Sequence, residues 1–429
     1  MSIQLHTFKV DVTPPVGHYI CGGLGKPAES IESPLYLRGW IIHANGTRYV
    51  TAAIDYCYLI GRSHRRFEDA LAQAAQVRAE HVTLQSTHAH SAPMLNEEVH
   101  AILAEHMPAT QAHDEAYFAD ALQRSGDAVR DVLNTEPTII DHVGFASHMV
   151  DQFASTRRVL DEDGQAHPRY SICRDPELRG KPVGRIDPLL DAIVLYDQDR
   201  RPVTCAGFYA CHPQVAARRP VIGGDSVGVA MDLFESRYPD VFPLFFVGCA
   251  GDITAGKYTT DHFDRNLHIF GVRLFDGLEG AYQAAYPQSV QSATWRSETF
   301  DLPLRAIEED QAHYEAMAGD PHQRQYLASA KLHRLRNNIH AYPFRTTLLQ
   351  LNGIGALFLP TELCVDYQLF AKQQYAGPLA VAAYGDSFFN YLATGEAFDQ
   401  GGYEVMPIWT EVDATAERPI KQAISRMFE

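Results

Sequence analysis

The chain has 429 residues, with 53 acidic against 36 basic side chains and a formal net charge of −17. That balance repels nucleic acid and anionic membrane surfaces, and the runs His64-Arg65-Arg66, Arg157-Arg158 and Arg218-Arg219 are too short to offset it. A hydrophobic fraction of 46% supports a sizeable core, while no apolar run approaches the length of a membrane span.

Strand-like patterns occur at Gln4–Val10, Tyr36–His43, Arg48–Leu59, His81–Ser86, Thr138–Gly144, Leu190–Tyr196, Thr204–Ala210, Val241–Val247, Thr346–Leu351 and Ala356–Leu359. Helical periodicity falls between them at Ser63–Arg78, Asp114–Leu133, Ser226–Ser236, Phe263–Ala285 and Glu308–Asn337. The alternation predicts an α/β fold in which mixed sheets are layered with helices. No linker or repeat divides the chain, so residues 1–429 are expected to form a single domain. The stretch Val150–Arg185 is polar and lacks periodicity, the mark of a functional or mobile loop. The seven cysteines are scattered without a CxxC pair, and MSIQLHTFKVDVTPP has no leader-like pattern; both predict a cytoplasmic protein.

Chemistry gathers where apolar runs end. The run His81–Ser86 leads into Ser86-Thr87-His88-Ala89-His90-Ser91-Ala92-Pro93, and strand alternation would put His88 and His90 on one face, able to share a divalent metal. A second apolar strand, Thr204–Ala210, ends at Cys211-His212-Pro213. His212 is a candidate ligand or a core histidine with its ring nitrogens satisfied by backbone. In Gly223-Gly224-Asp225-Ser226, either Asp225 or Ser226 can cap the helix that follows. Phe245–Gly256 takes a buried strand into a glycine-bounded loop carrying Asp252 and Thr254. Leu359-Pro360-Thr361-Glu362 leaves a lone carboxylate after another apolar strand, to be partnered by a metal, an arginine or a helix terminus. Two histidines and one carboxylate with an open position form a common catalytic zinc set.

Taken in order, STHAHSAP, RIDPLLDAIVLYD, GFYACHP, GGDSVGVAMDLFE, FFVGCAGDITAG, FLPTEL and NYLATGEAFDQGGYE resemble the catalytic domain of the neutral, non-lysosomal ceramidases, as does the opening VDVTPPVGHYICGGLGKP. The resemblance spans Phe8 to about Tyr403. It implies one zinc per chain on His88, His212 and Glu362, with His90 beside it and an active-site arginine at Arg157, or at Arg158 in the alternative register. It places Gly22 or Gly23 along the substrate entrance, and Tyr391 joins these glycines as an expected substrate-binding residue. Thr254 stands where the family has a serine, and Phe388 aligns with the family's tyrosine ligand, so zinc would have three protein ligands or recruit another such as Asp386 or Tyr391. Asp55 has no metal role in this pattern. Ending at Glu429, the chain leaves no room for the immunoglobulin-like C-terminal domain of the larger ceramidases, which turns the expectation away from ceramide in a membrane.

The reaction expected is hydrolysis of an N-acyl amide bond in a small-molecule substrate, with His90, Arg157 and Thr254 assisting. A zinc esterase or lactonase on a polar, sugar-like substrate is the second reading, favoured by Arg157, Arg158, Arg169 and Arg174 in the polar stretch. A non-catalytic binding descendant is the third, resting on Phe388. Homo-oligomerisation is left open.

Overall fold

The structure, a computed structural model, describes residues 3–21, 27–107, 114–216 and 219–429. Among the described residues, the three larger sheets are built mainly from antiparallel neighbours, and each carries one parallel pair. In the first sheet the order is Val82–Ser86, Thr47–Ile54, Tyr36–Ala44, Ile3–Asp11, Thr138–Ile140, with Thr47–Ile54 and Val82–Ser86 parallel. The second runs Phe242–Val247, Pro202–Tyr209, Leu189–Tyr196, His142–Met149, Gln288–Ser289, its parallel pair being Pro202–Tyr209 with Phe242–Val247. In the third, Ala293–Pro303, Ala341–Leu351 and Ile354–Phe358 are antiparallel, and Leu379–Ala382 adds in parallel. This is the α/β architecture of mixed sheets and helices that the alternation predicts.

Burial follows from these strands. Trp40 and Ile42 from the first sheet, Phe208 and Phe246 from the second, and Leu349 and Phe358 from the third meet in one apolar cluster. The three sheets therefore share a core, and helices cover their outer faces. Helices Arg62–Ala75 and Glu115–Leu133 bury Phe67 and Phe118 against the first sheet. Helices Asp225–Arg237 and Phe263–Ala284 bury Phe234 and Phe270 beside the second.

The parallel pairs decide where function can sit, because parallel strands present their carboxyl ends together. Backbone hydrogen bonds stitch those ends across the sheets: Ser86 N–H donates to Tyr384 O at 2.8 Å, Ala383 N–H to Val247 O at 2.8 Å, and Gly248 N–H to Tyr209 O at 3.0 Å. His88, His212, the Gly248–Thr254 loop, Glu362 and Tyr384 all follow strand ends brought to this seam.

Several expectations shift. The predicted helix Glu308–Asn337 is two helices, Gln311–Gly319 and Gln325–Arg336. Pro321 lies between them, where it supplies no N–H to continue the first. The stretch Val150–Arg185 is not structureless: Ser155–Thr156 pairs with Ile253–Thr254, and Arg158–Leu160 with Ala166–Pro168. Asp225 and Ser226 do not cap their helix; Gly224 precedes it, and Asp225 sits inside with φ 51°. Its carboxylate accepts from the backbone N–H of Val215 and Ala216, each at 3.1 Å, and so clamps the loop after His212. Among the described residues no helix is long and apolar enough to cross a membrane.

Candidate metal centre

His88 and His90 do meet, but not by strand alternation. The strand ends at Ser86, and His88 adopts φ 59°, in the left-handed region, so a turn rather than a pleat brings the rings together. The turn is held by Thr87 N–H to Ile54 O at 2.8 Å and His88 N–H to Tyr56 O at 2.9 Å. As a result His90 Nε2 lies 3.1 Å from His88 Nε2.

The tautomers of two histidines follow from their partners. His88 Nδ1 faces Cys57 O at 3.0 Å, and His212 Nδ1 faces Ala250 O at 2.7 Å and Ile253 O at 3.0 Å. Carbonyls only accept, so both Nδ1 atoms carry the proton and both Nε2 atoms present lone pairs. Those Nε2 atoms converge on Glu362: His212 Nε2 is 3.2 Å from Oε2, and His88 Nε2 is 3.7 Å from Oε1. All three side chains are almost wholly excluded from solvent. Neither His212 Nε2 nor Glu362 Oε2 finds a hydrogen-bond donor. Burial pushes both imidazoles well below their usual value, with His90 adding to the effect on His88 and Arg157 to that on His212. Burial likewise drives the Glu362 carboxyl well up, opposed by the neighbouring Tyr391 phenol.

Glu362 is carried on a short strand, Glu362–Leu363, whose parallel partner is Tyr391–Leu392. Thr361 turns the chain into it at φ 52°. Close packing fixes its position from behind. A side chain at Gly251 would place a Cβ 2.9 Å from Glu362 O and 3.0 Å from Leu363 O, so only glycine lets this loop approach the carboxylate strand.

The register of that ladder pairs Glu362 with Tyr391, and the Tyr391 phenol interacts with both the Glu362 carboxylate and the Arg157 guanidinium. Phe388, the position the resemblance aligned with a tyrosine ligand, stacks on Tyr342 with ring centroids 3.6 Å apart. Asp386 is also engaged away from the cluster, accepting from Gly61 N–H and Tyr342 Oη, each at 2.8 Å. A second phenol, Tyr384, stacks on His88 at 4.3 Å between centroids. Sequence reasoning had no signal for it, since it follows a strand, Leu379–Ala382, that was not recognised.

Of the two arginine registers, Arg157 faces the cluster. Its guanidinium lies 5.0 Å from the ring centres of both Tyr391 and Tyr403, and it donates to Glu404 Oε1 at 2.7 Å and to Gly251 O. Arg158 turns away, to Glu404 Oε2 at 2.7 Å and Gly401 O at 2.8 Å. Glu404, which the sequence did not single out, thus neutralises two buried cations. Burial opposes its charge, yet Arg157 and Arg158 hold its carboxyl below the usual range. Glu404→Gln leaves both guanidiniums without a counter-charge, and we expect a loss of about 3–5 kcal/mol in urea unfolding.

Thr254 is wholly buried, but its hydroxyl donates to Arg169 O at 3.0 Å and accepts from Gly256 N–H at 3.2 Å. That use commits its hydroxyl to the backbone instead of leaving the free hydroxyl the sequence suggested. Asp55 pairs with Arg38 at 3.2 Å and accepts from Tyr36 N–H at 2.9 Å, a structural role as expected. Gly22 and Gly23 lie outside the described residues.

The architecture has solved counterparts. Neutral ceramidase from Pseudomonas aeruginosa matches with a TM-score of 0.75 at 16% identity, over 99% of this chain and 74% of that one. A structure described as a ceramidase complexed with C2 matches with a TM-score of 0.74 at 14% identity, again over 99% and 74%. The chain therefore has the neutral ceramidase fold. No protein-family model matches the sequence, and a search of curated proteins finds no match.

Proposed function

We propose that residues 1–429 form one zinc-dependent hydrolase domain that cleaves N-acyl amide bonds, with His88, His212 and Glu362 as the metal ligands. The observation that carries this reading is the facing pair His212 Nε2 and Glu362 Oε2, 3.2 Å apart, buried, and without a donor between them. Two lone pairs so placed call for a cation, and two neutral imidazoles with a carboxylate suit zinc. The fold shared with two ceramidase structures directs the reaction toward an acyl linkage.

Zinc held there supplies an acidified water and polarises a carbonyl. The protein's own groups do the rest. Arg157, immobilised by Glu404 and Gly251 O, offers a fixed positive charge to a developing oxyanion. His90 is the candidate hydrogen-bond donor to the leaving amine, whose proton comes from the attacking water. Gln214 Nε2 donates to His90 Nδ1 at 2.9 Å, which leaves the imidazole proton on Nε2, facing the cluster. Tyr391 stands beside Glu362 as a further oxygen donor, in the place the sequence had assigned to the substrate entrance. The seven cysteines, none of them in a disulfide, fit the cytoplasm as the compartment.

The esterase reading loses part of its basis. Arg169 donates to the carbonyls of Thr156, Leu178, Lys181, Pro182 and Val183, and Arg158 is taken by Glu404, so neither is available to an anionic substrate. The non-catalytic reading rested on Phe388, and Tyr391 supplies a phenol regardless. Matched amide and ester substrates with the same acyl group test the proposal. We expect amide hydrolysis that chelation abolishes and zinc restores; turnover of the ester alone would overturn it in favour of the esterase.

A further inference from the structure

On the side of His90 away from the Nε2 cluster lie two thiols that the proposed reaction does not use. Cys21 Sγ is 3.5 Å from Cys57 Sγ and 3.6 Å from His90 Nδ1. The three ligand atoms all fall within 4.8 Å of one another. The sulfurs are in contact but far beyond the roughly 2.05 Å of a disulfide. Their spacing matches another geometry. Zinc bonds of about 2.3 Å to sulfur and about 2.05 Å to nitrogen, arranged tetrahedrally, put two sulfurs about 3.8 Å apart and sulfur about 3.5 Å from nitrogen.

The backbone holds this arrangement in place. Cys21 N–H donates to Ala92 O at 2.9 Å and Cys57 N–H to Pro93 O at 2.8 Å, so the residues just after His90 pin both cysteines. Both are tied to the segment that carries the third donor, which reduces the reorganisation a bound ion would require.

We propose that Cys21 Sγ, Cys57 Sγ and His90 Nδ1 form a second metal site, selective for a thiophilic ion of the zinc or copper(I) class. The site shares His90 with the centre described above but none of its three ligands. Gln214 is the competing group: its Nε2 now donates to His90 Nδ1, with its amide oriented by Ser171 Oγ donating to Oε1 at 2.6 Å. An ion at Nδ1 displaces that bond. Either partner leaves the imidazole proton on Nε2, so filling the site preserves the tautomer that faces the cluster. The fourth position is open to water or a small ligand.

The test is a titration of the reduced, metal-free full chain with Cd²⁺ under anaerobic conditions, following ultraviolet sulfur-to-metal charge transfer and bound metal together. We expect about two equivalents per chain, one of them carrying the thiolate band. Cys21→Ser should lose that equivalent and most of the band while keeping the other. His212→Ala should keep the band while losing the other, so the two sites fail separately. Saturation of the unaltered protein without a thiolate band overturns the proposal, as does a band that persists in the Cys21→Ser, Cys57→Ala double variant.

Discussion

His212→Ala is expected to lower kcat/KM for an N-acyl amide by on the order of a thousandfold or more and to remove the bound zinc with it. The effect is large because His212 has no second task to fall back on. Its Nδ1 proton is committed to Ala250 O and Ile253 O, which aims Nε2 at Glu362 and nowhere else. Removing the ring leaves Glu362 buried with His88, at 3.7 Å, as its one remaining histidine partner. Kinetics and metal content measured on the same preparation check this. An active variant that binds as much zinc as the unaltered protein would take His212 out of the site.

Tyr391→Phe is the second large effect, and it separates the structure from the alignment. Tyr391 is the ladder partner of Glu362, and its phenol also meets Arg157, so the substitution removes an oxygen donor between the carboxylate and the guanidinium. We expect kcat to fall by about 10²–10³ and zinc affinity by about 10–100-fold, read from steady-state kinetics and competition with a chelator. Phe388→Tyr should change neither, because residue 388 packs on Tyr342 away from the cluster. If Phe388→Tyr raised zinc affinity and Tyr391→Phe had no effect, the placement of these two residues would be wrong.

Much of the frame was legible because burial writes itself into periodicity. The strands Tyr36–Ala44, Pro202–Tyr209 and Phe242–Val247 are apolar on the faces they bury, and each was recognised within a few residues. The strand Ala293–Pro303 was not, since much of it is exposed and its sequence ATWRSETFDLP carries little apolar signal. The helices Glu97–His106, Val365–Gln374 and Glu417–Arg426 also went unrecognised, each being only ten residues long.

The site divides along the same line. His88, His212 and Glu362 stand just past apolar strands, so a chemical group where a strand stops was visible in the sequence. Their convergence was not, because it depends on three sheets meeting at their parallel ends. Glu404 and Tyr384 enter by tertiary contact alone. Thr254 shows the opposite failure: a hydroxyl in a suggestive loop, bonded by the fold to Arg169 O. Phe388, which the resemblance aligned with a ligand tyrosine, packs on Tyr342 instead of on the cluster. Two residues, Phe389 and Asn390, lie between it and Tyr391, and the ladder with Glu362–Leu363 sets Tyr391 opposite the carboxylate residue.

The most direct measurement is elemental analysis of the protein purified without chelator. The arrangement of His88, His212 and Glu362 predicts about one tightly held zinc per chain beyond any bound by the thiols, retained in Cys21→Ser and lost in His212→Ala. Protein that holds no zinc, even after incubation with the ion and removal of the excess, would contradict the account.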